Sequence, residues 1–72
     1  MQRHFLMQEI TVNGEIRSVS ALTLQVLVEE LGLDPRKVAV ERNLLIVPRS
    51  LYEQTPIMTG DRIEIVQFVG GG

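Results

Sequence analysis

The sequence predicts an α+β domain in which a single helix packs across one face of a mixed sheet of four to five strands. Three observations carry this prediction. An Asn-Gly pair joins two stretches with strand periodicity, one segment has helical periodicity, and further apolar strand-like stretches follow it. Because one helix has one apolar stripe to bury, it must lie across one face of a single sheet.

The first two strands are predicted within EITVNGEIRSV, residues 9–19. Ile10, Val12 and Ile16 are apolar with polar residues interleaved, which is strand periodicity. Asn13-Gly14 lies between the two stretches. It is the strongest short signal for a hairpin, because a type I′ turn needs a positive φ at both central residues.

The helix is predicted over TLQVLVEELG, residues 23–32. Its apolar residues recur at the i, i+3, i+4 and i+7 positions of one helical stripe: Leu24, Leu27, Val28 and Leu31. Thr23 is placed to cap the N-terminus of the helix. Gly32 is placed to adopt the left-handed conformation that follows the last turn.

The remaining strands are predicted at residues 37–42, 44–47 and 61–68, with one helical turn near Leu51 and Tyr52. A hairpin, a crossover helix and a late strand together indicate the ubiquitin-like β-grasp arrangement. We expect the core to consist of the helix stripe and the inward-facing strand residues: Leu24, Leu27, Val28, Leu31, Val38, Val40, Ile63 and Ile65.

Length and composition limit the classes of function. The 72 residues suffice for one small domain, with 44% hydrophobic residues, a net charge of -2 and no Cys. The charge argues against a nucleic-acid partner, which usually requires a basic surface. The apolar runs are too short to span a membrane, and MQRHFLM is too short for a secretory signal. We therefore expect a cytoplasmic protein, with residues 1–6 as an N-terminal extension and residues 7–69 as the domain.

The folded body shows no recognisable catalytic group. A metal site needs a cluster of ligands, and the chain has one His, His4, and no Cys. Glu29 and Glu30 are neighbours on the helix, so their side chains diverge and cannot share a proton. No glycine-rich loop precedes a helix, so no phosphate site is indicated. We expect no metal, no bound cofactor and no enzyme activity of the chain itself.

Three glycines, Gly70 to Gly72, directly follow the last predicted strand. Glycine-rich ends also arise as frayed termini, linkers, tag remnants or truncations. A chemical role is favoured because no polar spacer separates the glycines from the strand and the sequence closes on glycine. Glycines have no side chain to clash with a narrow channel, and three extended residues place a carboxyl group about 10 Å beyond the body.

Four parts of the chain together resemble a known family: ITVNGE, TLQVLVEELGL, VAVERN followed by IVPR, and GDRIEIVQFVGGG. The family that they resemble is the ThiS family of sulfur carriers. The resemblance covers nearly the whole chain from Met7. The related small subunit of molybdopterin synthase tends to have a Pro-Pro-containing tail before its Gly-Gly, and VQFVGGG lacks one.

The resemblance implies a sulfur carrier of thiamine (thiazole) biosynthesis. It implies that an E1-like, ThiF-type adenylyltransferase uses ATP to adenylate Gly72, while Gly70 and Gly71 lie in that partner's channel. Sulfur from a donor such as a cysteine desulfurase then displaces AMP and leaves a thiocarboxylate. The carrier delivers this sulfur to thiazole synthase.

Three alternatives remain open from the sequence. The chain could carry sulfur for molybdopterin or another pathway, or act as a ubiquitin-like modifier conjugated to lysines through Gly72. It could also be a β-grasp interaction module whose tail is inert.

Partner docking is expected on the sheet face opposite the helix, around Glu64, Val66 and Phe68. If Ile63 and Ile65 are core residues, alternation along the strand turns these three side chains outward. Exposed apolar side chains close to Gly72 are typical of an interface centre. The alternative is that Phe68 folds back over the edge of the core.

Overall fold

A computed structural model describes residues 7–68. The elements in this range are β1 (Gln8–Val12), β2 (Glu15–Val19), α1 (Leu24–Glu30), β3 (Val38–Arg42), β4 (Leu45–Val47) and β5 (Arg62–Gln67). Two 3₁₀ helices, Pro35–Lys37 and Arg49–Gln54, lie in the connections. The predicted extension at residues 1–6 and the glycines Gly70 to Gly72 lie outside the described residues.

The five strands form one mixed sheet in the order β2-β1-β5-β3-β4. The last strand in sequence, β5, occupies the centre, where it is parallel to β1 and antiparallel to β3. Helix α1 buries Leu24, Leu27 and Val28 in the core that covers one face of this sheet. The predicted fold class, a β-grasp with one helix across one face of a mixed sheet, is confirmed.

Two tight turns set the strand pairing. Asn13 and Gly14 have φ values of 49° and 84°, which confirms the predicted turn between β1 and β2. A second two-residue turn joins β3 to β4, with φ values of 53° at Asn43 and 73° at Leu44. The predicted fourth strand began one residue too early, because Leu44 lies in this turn. A leucine in the left-handed region is uncommon, and the sequence had no signal for it.

Both predicted ends of the helix are confirmed. The Thr23 hydroxyl accepts a hydrogen bond from the Val26 N–H at 3.3 Å. At the other end Gly32 has a φ of 79°, and its N–H donates to the Glu29 carbonyl at 2.9 Å. The Leu33 N–H donates to the Val28 carbonyl at 3.1 Å, which completes a Schellman motif and ends the helix.

The core contains most of the predicted residues and several that were not predicted. Seven of the eight are buried, and Leu31 is the exception. It is only half-buried because α1 ends at Glu30, so Leu31 caps the helix at the margin of the core. The buried apolar residues absent from the prediction are Ile10, Val12, Ala21, Tyr52 and Ile57.

Candidate functional site

The candidate site is the exposed face of β5, the strand that leads directly to the glycine segment. Ile63 and Ile65 are 0% and 7% exposed, whereas Val66 and Phe68 are 62% and 59% exposed. Glu64 is also exposed. The predicted alternation along this strand is therefore present, and Phe68 is not part of the buried core. That partners dock on these side chains stays a prediction.

The apolar surface extends from β5 across two further strands. Val66 lies opposite Ala39 of β3, and Ile46 of β4 lies opposite Glu41. These four residues and Glu64 line a shallow depression on the face opposite the helix. Ile46 is 75% exposed, so this face presents uncovered apolar surface over three adjacent strands. Such continuous exposed patches are typical of interaction sites.

Sequence reasoning missed Ile46 and Ala39 as members of this face. The three-residue strand β4 is too short to show an alternation from which its buried side could be identified. Its register against β3, which places Ile46 beside Glu41, is set by the turn at Asn43 and Leu44.

The start of β5 is anchored by Asp61, which is 5% exposed. Its carboxylate accepts hydrogen bonds from the Arg42 guanidinium at 2.9 Å, the Asn43 amide at 3.0 Å and the Met58 N–H at 2.8 Å. Burial alone would raise the pKa of Asp61, but these hydrogen bonds and the Arg42 charge outweigh it, and the pKa lies below its ordinary value. The carboxylate is thereby committed to holding β5 and is a poor candidate for a general base.

The end of β5 is held from both sides. The Phe68 N–H donates to the Lys37 carbonyl at 2.8 Å on the β3 side. On the β1 side the Asn13 side chain bonds the main chain of Ile65, accepting from its N–H at 2.8 Å and donating to its carbonyl at 3.2 Å. These contacts fix the strand up to the point where the glycine segment follows.

The described residues offer few groups suited to catalysis or metal binding. Among residues 7–68 there is no group of three or more His, Asp or Glu side chains that could hold a metal ion. None of the helices in the same range is long and apolar enough to cross a membrane. The described residues present an exposed apolar face and a strand held by hydrogen bonds on both sides. The predicted reactive residue, Gly72, lies outside the described residues.

Comparison with known proteins identifies the family. The ThiS family matches residues 8–72. A thiazole synthase of Paramagnetospirillum magneticum is 55% identical over 65 residues, which are 89% of this chain and 20% of that protein. The chain thus spans about a fifth of the length of this relative. The sulfur carrier protein ThiS of Bacillus subtilis is 42% identical over 50 residues, 69% of this chain and 76% of that protein.

A solved structure agrees with the sequence comparison. The crystal structure of the thiamine biosynthesis protein ThiS from Geobacter metallireducens superposes with a TM-score of 0.76 at 30% identity, covering 90% of this chain and 100% of that one. The family expected from the hairpin, helix and final-strand motifs is therefore confirmed. This chain belongs to the ThiS family.

Proposed function

We propose that this chain is a sulfur carrier of thiamine biosynthesis that acts as a co-substrate and is not itself an enzyme. The observation that carries the proposal is the extent of the family match, which runs through residue 72 and so includes all three glycines of the tail. The Bacillus relative named as a sulfur carrier protein supports the same function.

The working group in this proposal is the carboxyl group of Gly72. A carboxylate oxygen of Gly72 attacks the α-phosphorus of ATP on a ThiF-like adenylyltransferase, and pyrophosphate leaves. The outer sulfur of a persulfide on a donor such as a cysteine desulfurase then attacks the acyl carbon, AMP leaves with its bonding electrons, and an acyl disulfide to the donor forms. A thiol attacks the donor sulfur of this disulfide, forms a new disulfide with it, and the thiocarboxylate leaves with the electrons of the broken S–S bond. The thiocarboxylate is a better nucleophile than the carboxylate it replaces. ATP is a substrate of the partner, and this chain binds no cofactor.

In this proposal, the described residues position the reacting carboxyl group of Gly72 relative to the partner. Residues 69–72 extend at most about 14 Å beyond Phe68 when fully stretched. Because Phe68 is held by the Lys37 carbonyl, a partner that grips Val66 and Phe68 sets the distance between its own active site and Gly72. Gly70 and Gly71 supply a segment without side chains for a narrow channel.

Thiazole synthase is the proposed recipient of the sulfur. The support is that a protein named thiazole synthase has a segment 55% identical to this chain over only a fifth of its length. A carrier-like segment and the remainder of that protein are therefore parts of one polypeptide. The adenylyltransferase and the cysteine desulfurase rest on the family resemblance alone. The proposed cytoplasmic location rests on the short apolar runs and on an opening too short for a secretory signal.

The test is the intact mass of the chain isolated from its own cells. We expect a carboxyl end at Gly72 and a fraction heavier by the difference between one sulfur and one oxygen atom. A deletion strain should regain growth when the thiazole precursor of thiamine is supplied. Adducts of the chain with lysines of other proteins would instead identify a modifier. A deletion strain that requires molybdopterin would identify the other sulfur-carrier pathway. An unmodified chain, together with a deletion strain that has no growth defect, would identify an inert module.

A further inference from the structure

The main chain of β5 bonds to its two neighbours in strict alternation, and the even-numbered residues face β3. The Arg62 carbonyl accepts from the Asn43 N–H at 2.7 Å, and the Phe68 N–H donates to the Lys37 carbonyl at 2.8 Å. The antiparallel register between β3 and β5 is continuous between these two points. The odd-numbered residues of β5 therefore turn their main-chain groups towards β1.

On the β1 side the pairing stops before β5 ends. The Ile63 carbonyl accepts from the Asn13 N–H at 2.9 Å, and both main-chain groups of Ile65 bond the Asn13 side chain. The chain then turns away at Gly14. Gln67 is the next residue to face this side, and within residues 7–68 its N–H and carbonyl have no hydrogen-bond partner. Gln67 is exposed, so the centre of the sheet has one open main-chain position there.

A depression on the helix side of the sheet reaches Ile65, two residues before this open position. It lies between the β1–β2 turn and the end of α1, and its lining combines four apolar with three polar residues: Val12, Leu31, Leu33 and Ile65 with Asn13, Glu15 and Arg17. Leu31 and Leu33 pack against the core but remain half-buried. A side chain placed beside Gln67 on the helix side would cover this apolar margin.

We propose that an extended segment of the adenylating partner adds to the sheet beside Gln67, in line with β1. Its main chain bonds the N–H and carbonyl of Gln67, and one apolar side chain enters the depression. An outward N–H and carbonyl on one residue of a strand are the pattern that another extended main chain satisfies. The inference rests on the proposed function, because a partner that receives the residues after Phe68 must pass directly beside Gln67.

A second copy of this chain fits the position less well. A two-fold pairing of copies here would join only Gln67 to Gln67, since Asn13 already occupies the main-chain groups of Ile65. One such pair supplies two hydrogen bonds and little buried area, far below a standard interface. A segment of the adenylating enzyme, in contrast, is continuous with the rest of that enzyme, which can contribute further contacts to this chain.

The test replaces the amide between Val66 and Gln67 by an ester in a chemically synthesised 72-residue chain. This change removes the Gln67 N–H and keeps every side chain. The matched control is an ester that removes the N–H of Ser18, an exposed residue whose N–H points away from the sheet on edge strand β2. We expect the Gln67 ester to weaken binding to the adenylyltransferase about three- to tenfold, the effect of one net hydrogen bond, and the Ser18 ester to leave it unchanged.

Each other outcome has a definite meaning. An unmodified chain that supports no ATP–pyrophosphate exchange with this enzyme overturns the proposed function itself. Normal exchange together with equal affinity of the Gln67 ester overturns only the strand addition. A lowered urea midpoint of the Gln67 ester would show that the N–H bonds within the chain, and a dimer in sedimentation that this ester dissociates would identify a second copy as the occupant. Either result overturns the inference.

Discussion

The side chain of Asn13 bonds both main-chain groups of Ile65, a residue 52 positions later in the sequence. Oδ1 accepts from the Ile65 N–H at 2.8 Å, and Nδ2 donates to the Ile65 carbonyl at 3.2 Å. The amide thus acts as one further residue of β1 at the position where the main chain has already turned away. One residue both forms the first turn and holds the end of β5, the strand that precedes the proposed working residue Gly72.

Asn13→Asp should therefore destabilise the domain. The carboxylate can still accept from the Ile65 N–H, but it cannot donate to the Ile65 carbonyl, which then faces a negative charge. We expect the free energy of unfolding to fall by about 1 to 2 kcal/mol, measured by urea denaturation. Gln54→Glu introduces the same charge on an exposed residue and should have little effect. Equal midpoints for the two variants would contradict the role assigned to Asn13.

Asp61 should make stability depend on acid pH. Its folded-state pKa is lowered, so its contribution is complete above the pKa of an unfolded Asp, about 3.9, and is lost as the pH falls through the folded value. Asp61→Asn should cost about 1.5 to 3 kcal/mol at pH 7, the value of hydrogen bonds to a charged group. The difference in unfolding free energy between wild type and variant should begin to narrow near pH 4 and close as the pH falls through the lower folded-state pKa. A gap that is constant with pH, or one reproduced by Glu53→Gln, would refute this assignment.

Leu27→Ala should severely destabilise the domain, because Leu27 is 0% exposed at the centre of the helix stripe. Truncation of a buried leucine typically costs about 2 to 5 kcal/mol, comparable to the total stability of about 5 kcal/mol of a marginal small domain. Val26→Ala is the control on the same helix, since Val26 is 38% exposed. Thermal and urea denaturation should separate the two variants clearly. An unchanged midpoint for Leu27→Ala would show that the packing of this helix face is wrongly assigned.

Phe68→Asp should impair binding without impairing folding. Phe68 is 59% exposed, so the urea midpoint should barely move, while affinity for the adenylyltransferase and for thiazole synthase should fall by about 2 kcal/mol or more. Ile16→Asp is the matched control, because Ile16 is 74% exposed on the same sheet face but lies on edge strand β2. Calorimetry with each partner measures both effects. Unfolding of the Phe68 variant, or equal weakening by both variants, would place the docking centre elsewhere.

Gly72→Val should abolish adenylation and leave the fold unchanged. A β-branched side chain at the reacting residue would clash with a channel shaped for glycine. The core formed by the described residues, in contrast, runs from Ile10 to Ile65. ATP–pyrophosphate exchange with the adenylyltransferase measures the loss, and urea denaturation confirms that the fold is intact. Undiminished exchange by the valine variant would remove Gly72 from the proposed chemistry.

The sequence by itself determined the elements that depend on short-range physics. Asn13-Gly14 specified a turn because positive φ is needed at both positions, and Gly32 ended the helix for the same conformational reason. The alternation of Ile63 and Ile65 with Val66 identified the buried and exposed faces of β5, because side chains of a strand point to opposite faces. Each of these signals lies within a few residues of the feature it predicts.

Only the tertiary structure decided which distant groups meet. Tyr52 is buried through the placement of a 3₁₀ helix, and its hydroxyl donates to the Val38 carbonyl at 3.3 Å. Ile46 joins the exposed face around Val66 through the register of β4 against β3. Asn13 reaches Ile65 only because β5 inserts between β1 and β3. These contacts follow from strand order and register, which are set by the packing of the whole domain and leave no local pattern in the chain.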